Sequence, residues 1–175
     1  MRPEEVDDLA GQVVHRLLSR LLVRLAGVKL TTALPVDSDF AVTAAISLAV
    51  DCQTDSDGDG IYILTCTYSV SAVPTEDGEG PAEDREPAWT CTVDIQGQWV
   101  IRGVGDLTDD HLRAFAAKVG IMALHPYARS HIQSLITESG WPPYTLDVLT
   151  PQDELFIDSD DPEQIDLSGI TLSTT

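Results

Sequence analysis

The sequence predicts an α+β fold: an N-terminal helix, a four-stranded antiparallel sheet, two C-terminal helices and an acidic flexible tail. Three observations carry that expectation. Four successive stretches alternate apolar and polar residues with a period of two, the signature of strands with one face on a core. Stretches on either side of them repeat apolar residues at i, i+3, i+4 and i+7, the signature of amphipathic helices. The last part of the chain, from Pro151, is rich in Asp and Glu with little to bury. At 175 residues one core suffices, and a chain of this size buries about 70% of its unfolded surface. Residues 1–150 are therefore read as one domain and 151–175 as the acidic tail.

In chain order, Val6, Leu9, Ala10, Val13, Leu17, Leu21 and Leu25 form one stripe behind Pro3, a residue that a helix start accepts, and predict a helix from Pro3 to about Leu25. Arg16, Arg20 and Arg24 repeat on another face of it, either as a solvated ridge or as a contact for a partner or subunit. The first strand is expected from Val28 to about Leu34. In the second, Phe40, Val42, Ala44, Ile46, Leu48, Val50 and Cys52 share one face. Tyr62, Leu64, Cys66, Tyr68 and Val70 share it in the third, and Trp89, Cys91, Val93, Ile95, Trp99 and Ile101 in the fourth. The opposite face is small and rich in Thr, Ser, Ala and Gln. A long solvated face would carry Lys and Glu, so this one is expected to meet another subunit or a helix.

After Gly103 and Gly105, Thr108 followed by Asp109 and Asp110 makes an N-cap with acids in the first turn. Leu112, Phe115, Ala116 and Val119 form the buried stripe of that helix, and Gly120 separates it from the next helix or kinks the junction. There Leu124, Ala128, Ile132, Leu135 and Ile136 recur at helical spacing until Ser139-Gly140 ends the run. Trp141 to Leu149 is then extended, because Pro142 and Pro143 lack amide donors. A loop this apolar needs something to cover.

Charge narrows the function. Ten Lys plus Arg against 29 Asp plus Glu give a net charge of −19 and a pI near 4.1, which opposes nucleic acid and anionic membrane surfaces and favours basic or unfolded partners. The acidic start MRPEEVDD and the cations interrupting the next apolar positions argue against a secretory signal or a membrane span, and point to the cytoplasm. Cys52, Cys66 and Cys91 lie in strands without paired zinc spacing and read as reduced core thiols. Asp55-Ser56-Asp57-Gly58-Asp59-Gly60 begins like a calcium loop, but Cys66 stands at its twelfth position and both flanks are strands, so a hairpin loop is the expectation. Pro74 to Pro87 reads as a solvated loop. No phosphate loop, metal pair or nucleophile elbow is present, and His15, His111, His125 and His131 are scattered. The expectation is a protein that is not an enzyme and uses no cofactor or metal.

Leu124-His125-Pro126-Tyr127-Ala128-Arg129, followed by Gly140, Pro142-Pro143 and Leu146, resembles the pattern of the SecB export chaperones: Phe-Pro-Tyr-Ala-Arg, a helix, Gly, Pro and a later leucine. The resemblance covers roughly Val28 to Phe156, and the extra N-terminal helix is similar to the branch associated with toxin–antitoxin systems. It implies an ATP-independent holdase, usually a dimer of dimers, that keeps unfolded preproteins or an antitoxin from folding or aggregating. Carried onto matching positions, the client groove would comprise Val36, Phe40, Leu124, Tyr127, Trp141, Pro142, Tyr144, Leu146 and Leu149. Trp141 and Tyr144 read equally well as caps on the core. Leu155-Phe156-Ile157 resembles the family's short C-terminal helix. The family docks on the export motor SecA through acids on its first strand, and here Val28-Lys29-Leu30-Thr31-Thr32 has none. The connection Pro35 to Asp39 is shorter than the family's aromatic crossover loop. Outside the resemblance stand an acidic secretion chaperone dedicated to one effector and a small-ligand-binding α+β domain.

Overall fold

Alternation of apolar residues places four long strands side by side in one sheet. The computed structural model describes residues 1–32, 40–54, 58–74, 87–142, 144–147, 149, 156–158, 160–161 and 163–174. Its elements are α1 (Pro3–Val14), β1 (Leu22–Thr32), β2 (Phe40–Thr54), β3 (Gly60–Pro74), β4 (Trp89–Ile101), α2 (Asp109–Phe115), α3 (Ile121–Glu138) and β5 (Thr171–Thr174). The sheet order is β1-β4-β3-β2-β5. The first four strands pair antiparallel. The fold is α+β, and the expected four-stranded antiparallel sheet is corrected to a mixed sheet of five, because β5 runs parallel to β2. The tail hid this strand: its acids dominate the composition, yet Leu167 and Ile170 are buried and carry Thr171–Thr174 onto the sheet.

Tyr62, Leu64, Cys66, Tyr68, Val70 and Ala72 of β3 and Trp89, Cys91, Val93, Ile95, Trp99 and Ile101 of β4 are buried beneath the helices, as their period requires. All three cysteines are free thiols in that layer. Tyr62 donates its hydroxyl proton to the Leu112 carbonyl at 3.0 Å, and its ring meets Trp99 and Phe115 edge-on at 5.8 and 5.1 Å between centroids. On the other face, cross-strand side-chain bonds satisfy the polar groups: Thr67 donates to Asp94 at 2.7 Å and Gln96 to Thr65 at 3.0 Å. Among the described residues no helix covers that face, so the part of the expectation that placed a helix there is corrected.

The N-terminal helix is shorter than its stripe suggests. Leu17, Leu21 and Leu25 fit either period, and the free rim of β4 decides between them. The Leu18 amide donates to the Val100 carbonyl at 2.8 Å and the Arg102 amide to the Arg16 carbonyl at 2.9 Å, so α1 ends at Val14 and the chain enters β1 at Leu22. Arg16, Arg20 and Arg24 therefore do not share a helix face. Ala26 is left unpaired between Leu25 opposite Ile95 and Gly27 opposite Asp94. This bulge returns Val28 and Leu30 to the face that holds Val23 and Leu25.

Gly120 neither separates α2 from α3 nor breaks the rod. Ala116–Gly120 instead forms a π-helical turn. A Cβ at Gly120 would lie 2.3 Å from Leu64 Cδ2, so the helix touches the sheet there through bare backbone. Of the resembled C-terminal helix, Leu155 lies outside the described residues; Ile157 instead bridges Ile165, and the Asp166 amide donates to the Phe156 carbonyl at 2.7 Å.

An apolar loop strapped across one end of the sheet

The start of β2, the end of β3 and the start of β4 meet at one end of the sheet, since Phe40 lies opposite Pro74 and Ala72 opposite Trp89. The segment after α3 crosses this end. Gly140, at φ 86°, closes α3, and the Trp141 amide donates to the Ile136 carbonyl at 3.3 Å, a glycine C-cap that turns Trp141 back onto the sheet. There Trp141 meets Phe40 edge-on at 5.3 Å and Trp89 at 6.5 Å, and Trp89 meets Tyr144 at 6.4 Å. Leu146 is 4% exposed and completes the packing.

The strap is tied in its middle by His125. Its Nε2 lies 2.7 Å from the Asp147 carbonyl oxygen, which can only accept, so Nε2 is the donor. His125 Nδ1 and the Tyr68 hydroxyl are buried without a partner among the described residues, and their rings lie 5.6 Å apart. Burial pushes the Tyr68 hydroxyl far up, and burial with the nearby Asp147 carboxylate raises that of Tyr144.

Of the nine residues expected to line a groove, the structure brings Phe40, Trp141, Tyr144 and Leu146 into this cluster. Pro142 is exposed beside Trp141, and Leu149 is half-buried against the core further along. Leu124 is wholly buried, and a Cβ at Gly97 would lie 2.8 Å from it, so it belongs to the helix–sheet core. Tyr127 is 47% exposed on α3. Val36 lies outside the described residues, as do Asp55 to Asp57. Asp59 accepts a hydrogen bond from the Gly103 amide at 3.0 Å. Two participants do not stand out in the sequence. Trp89 reads only as a core position of its strand, and an aromatic ring at a strand end on the core face is the signal that marks it. His125 reads as one of four scattered histidines, although it occupies the motif position where Phe is expected.

The cluster offers apolar and aromatic surface, with neither an ion pair nor a group of ligands able to hold a metal among the described residues. Among the described residues no helix is long and apolar enough to cross a membrane.

No family model and no curated protein sequence matches the chain. Among solved structures, a Mycobacterium tuberculosis SecB-like chaperone in complex with a ChAD peptide from the HigA1 antitoxin matches at a TM-score of 0.64 and 17% identity. It covers 82% of this chain and 97% of that one. A Streptococcus agalactiae protein of unknown function matches at a TM-score of 0.35 and 10% identity, covering 73% and 97% of the two chains. The first likeness establishes a SecB-like fold; the second is too distant to bear on it.

Proposed function

We propose that this SecB-like fold serves as an ATP-independent holdase that keeps non-native polypeptides from aggregating, with an antitoxin or an exported preprotein as its client. The observation that carries the reading is the strap itself: an aromatic loop held by His125 across one end of the sheet, in a fold whose structural neighbour was solved with an antitoxin peptide. At roughly 25 cal/mol per Å² of apolar area, a few hundred Å² of client surface suffices for micromolar holding after ordering costs. Nothing in such contact requires a sequence code, which suits a promiscuous binder.

The exposed side chains Pro142 and Tyr127 and the half-buried Tyr144 meet the client first, while Trp141 and Leu124 support the surface from below. Leu22 at 62% exposure, together with Leu18, Leu25 and Val28, leaves an apolar area around β1 that suits assembly of copies into a dimer or dimer of dimers. We assign no catalytic role and no cofactor, and place the protein in the cytoplasm. SecA docking is not part of the reading, because β1 carries no acid.

The test is light scattering from a chemically unfolded, aggregation-prone client diluted into rising amounts of the protein without nucleotide. Suppression that saturates at a fixed stoichiometry is expected. No suppression across several unrelated clients would refute general holding and leave a single dedicated partner as the reading to pursue.

A further inference from the structure

The two edges of the sheet are built differently. β1 carries Arg24, Lys29 and the Ala26 bulge, devices that keep an edge from pairing with foreign strands. From Phe40 to Val50, β2 has no charge, no proline and no bulge, and its register against β3 runs unbroken from Phe40 to Thr54. That is eleven uncharged residues on an edge of a protein in which 22% of residues are charged.

β5 occupies only part of this edge, pairing with Ala49 to Cys52. It cannot reach further back along β2, because the tail arrives from the core. Leu167 and Ile170 are buried, the Ile170 amide turns back to the Leu167 carbonyl at 3.1 Å, and Arg113 Nε donates to the Ile170 carbonyl at 3.3 Å. Among the described residues nothing pairs with the outer side of Ala41 to Leu48, so alternate amide and carbonyl groups there face outward unpaired. At its near end this free edge runs into Phe40, which touches Trp141.

We propose that an extended, neutral-to-basic polypeptide segment adds to the sheet along Ala41 to Leu48, in line with β5 and leading into the Phe40–Trp141 cluster. The inference rests on the holdase reading and specifies how the client backbone is held. Ladder hydrogen bonds are blind to side-chain identity, and Ala41, Ala44, Ala45 and Ser47 leave room for any neighbour. Client side chains on the helix side lie beside Val42 and Ile46, which are only half-buried. β5 shows the same edge accepting an extended segment. The net charge of −19 selects against a second copy or an acidic segment and favours cationic ones.

The test uses a synthetic peptide with an alternating valine–threonine core flanked by lysines, and a counterpart N-methylated throughout that core. Amide hydrogen exchange of Ala41 to Leu48 is followed by NMR, alongside binding by fluorescence of a labelled peptide. The outward-facing amides are expected to slow at least tenfold with the plain peptide, and the methylated peptide to bind at least tenfold more weakly. Equal binding of the two peptides, or binding that leaves exchange at Ala41 to Leu48 unchanged, overturns edge addition while leaving apolar holding intact. Protection that grows with protein concentration in the absence of peptide, with a doubling of mass in solution, assigns the edge to a second copy and also overturns it. Failure of both peptide binding and aggregation suppression removes the holdase reading as well.

Discussion

His125 illustrates how one side chain can hold a surface without belonging to it. Its ring packs beside Tyr68 while Nε2 reaches the Asp147 carbonyl. His125→Phe keeps the packing and removes the tie, so a loss of about 1 kcal/mol is expected in urea unfolding, with faster exchange of the amides between Tyr144 and Asp147. Exchange unchanged in that segment would show that packing alone holds the strap. Trp141 and Tyr144 should separate in the same spirit. Trp141 is 5% exposed between Phe40 and Trp89, and Trp141→Ala should cost about 3 to 5 kcal/mol whether or not client binds. Tyr144 is half-buried at the rim, and Tyr144→Ala should leave urea stability within about 1 kcal/mol while weakening aggregation suppression severalfold. Normal suppression by Tyr144→Ala would move the client surface elsewhere.

At the scale of elements, β2, β3 and β4 were legible because each keeps one period over more than ten residues, so Phe40–Thr54 and Trp89–Ile101 match the alternation in the sequence, whereas β1, expected from Val28, begins at Leu22 because the bulge at Ala26 breaks its period. The end of α1 was not, because Leu17, Leu21 and Leu25 satisfy two periods and the choice depends on β4, far away in the chain. β5 was hidden for a related reason: four residues among acids carry no period worth reading. At the candidate site the aromatic loop was legible from its prolines and aromatic residues, whereas Trp89 and the His125 tie required knowing which strand ends converge. The π turn follows from contact rather than propensity. Its Gly120 lies against Leu64, and Gly120→Ala should destabilise by about 1 to 3 kcal/mol in thermal or urea unfolding. A neutral result would mean that Leu64 can rotate away and that the helix has slack there.

For the molecule as a whole, the core is a store of protonated acids. Burial pushes the Cys66 thiol up to about 12 from an ordinary value of 9.0, and raises Tyr62 and Tyr68 as well. The folded chain therefore keeps protons that the unfolded chain releases. The stability that these buried groups contribute is fully present below about pH 9 and is lost as pH rises toward 12. Urea midpoints at pH 7 and pH 10 should differ accordingly, and Cys66→Ala should reduce the difference, with Cys52, raised to about 11, and Cys91 keeping part of it; a flat profile in the parent protein would contradict burial of these groups. The bulge in β1 has a consequence for chain length. Because Ala26 opposes no residue of β4, deleting it leaves every partner on either side in place, and the strand tolerates being one residue shorter. The shortened strand would be straight and regular beside exposed Leu22, Leu25 and Val28, so the cost would fall on solubility rather than on folding.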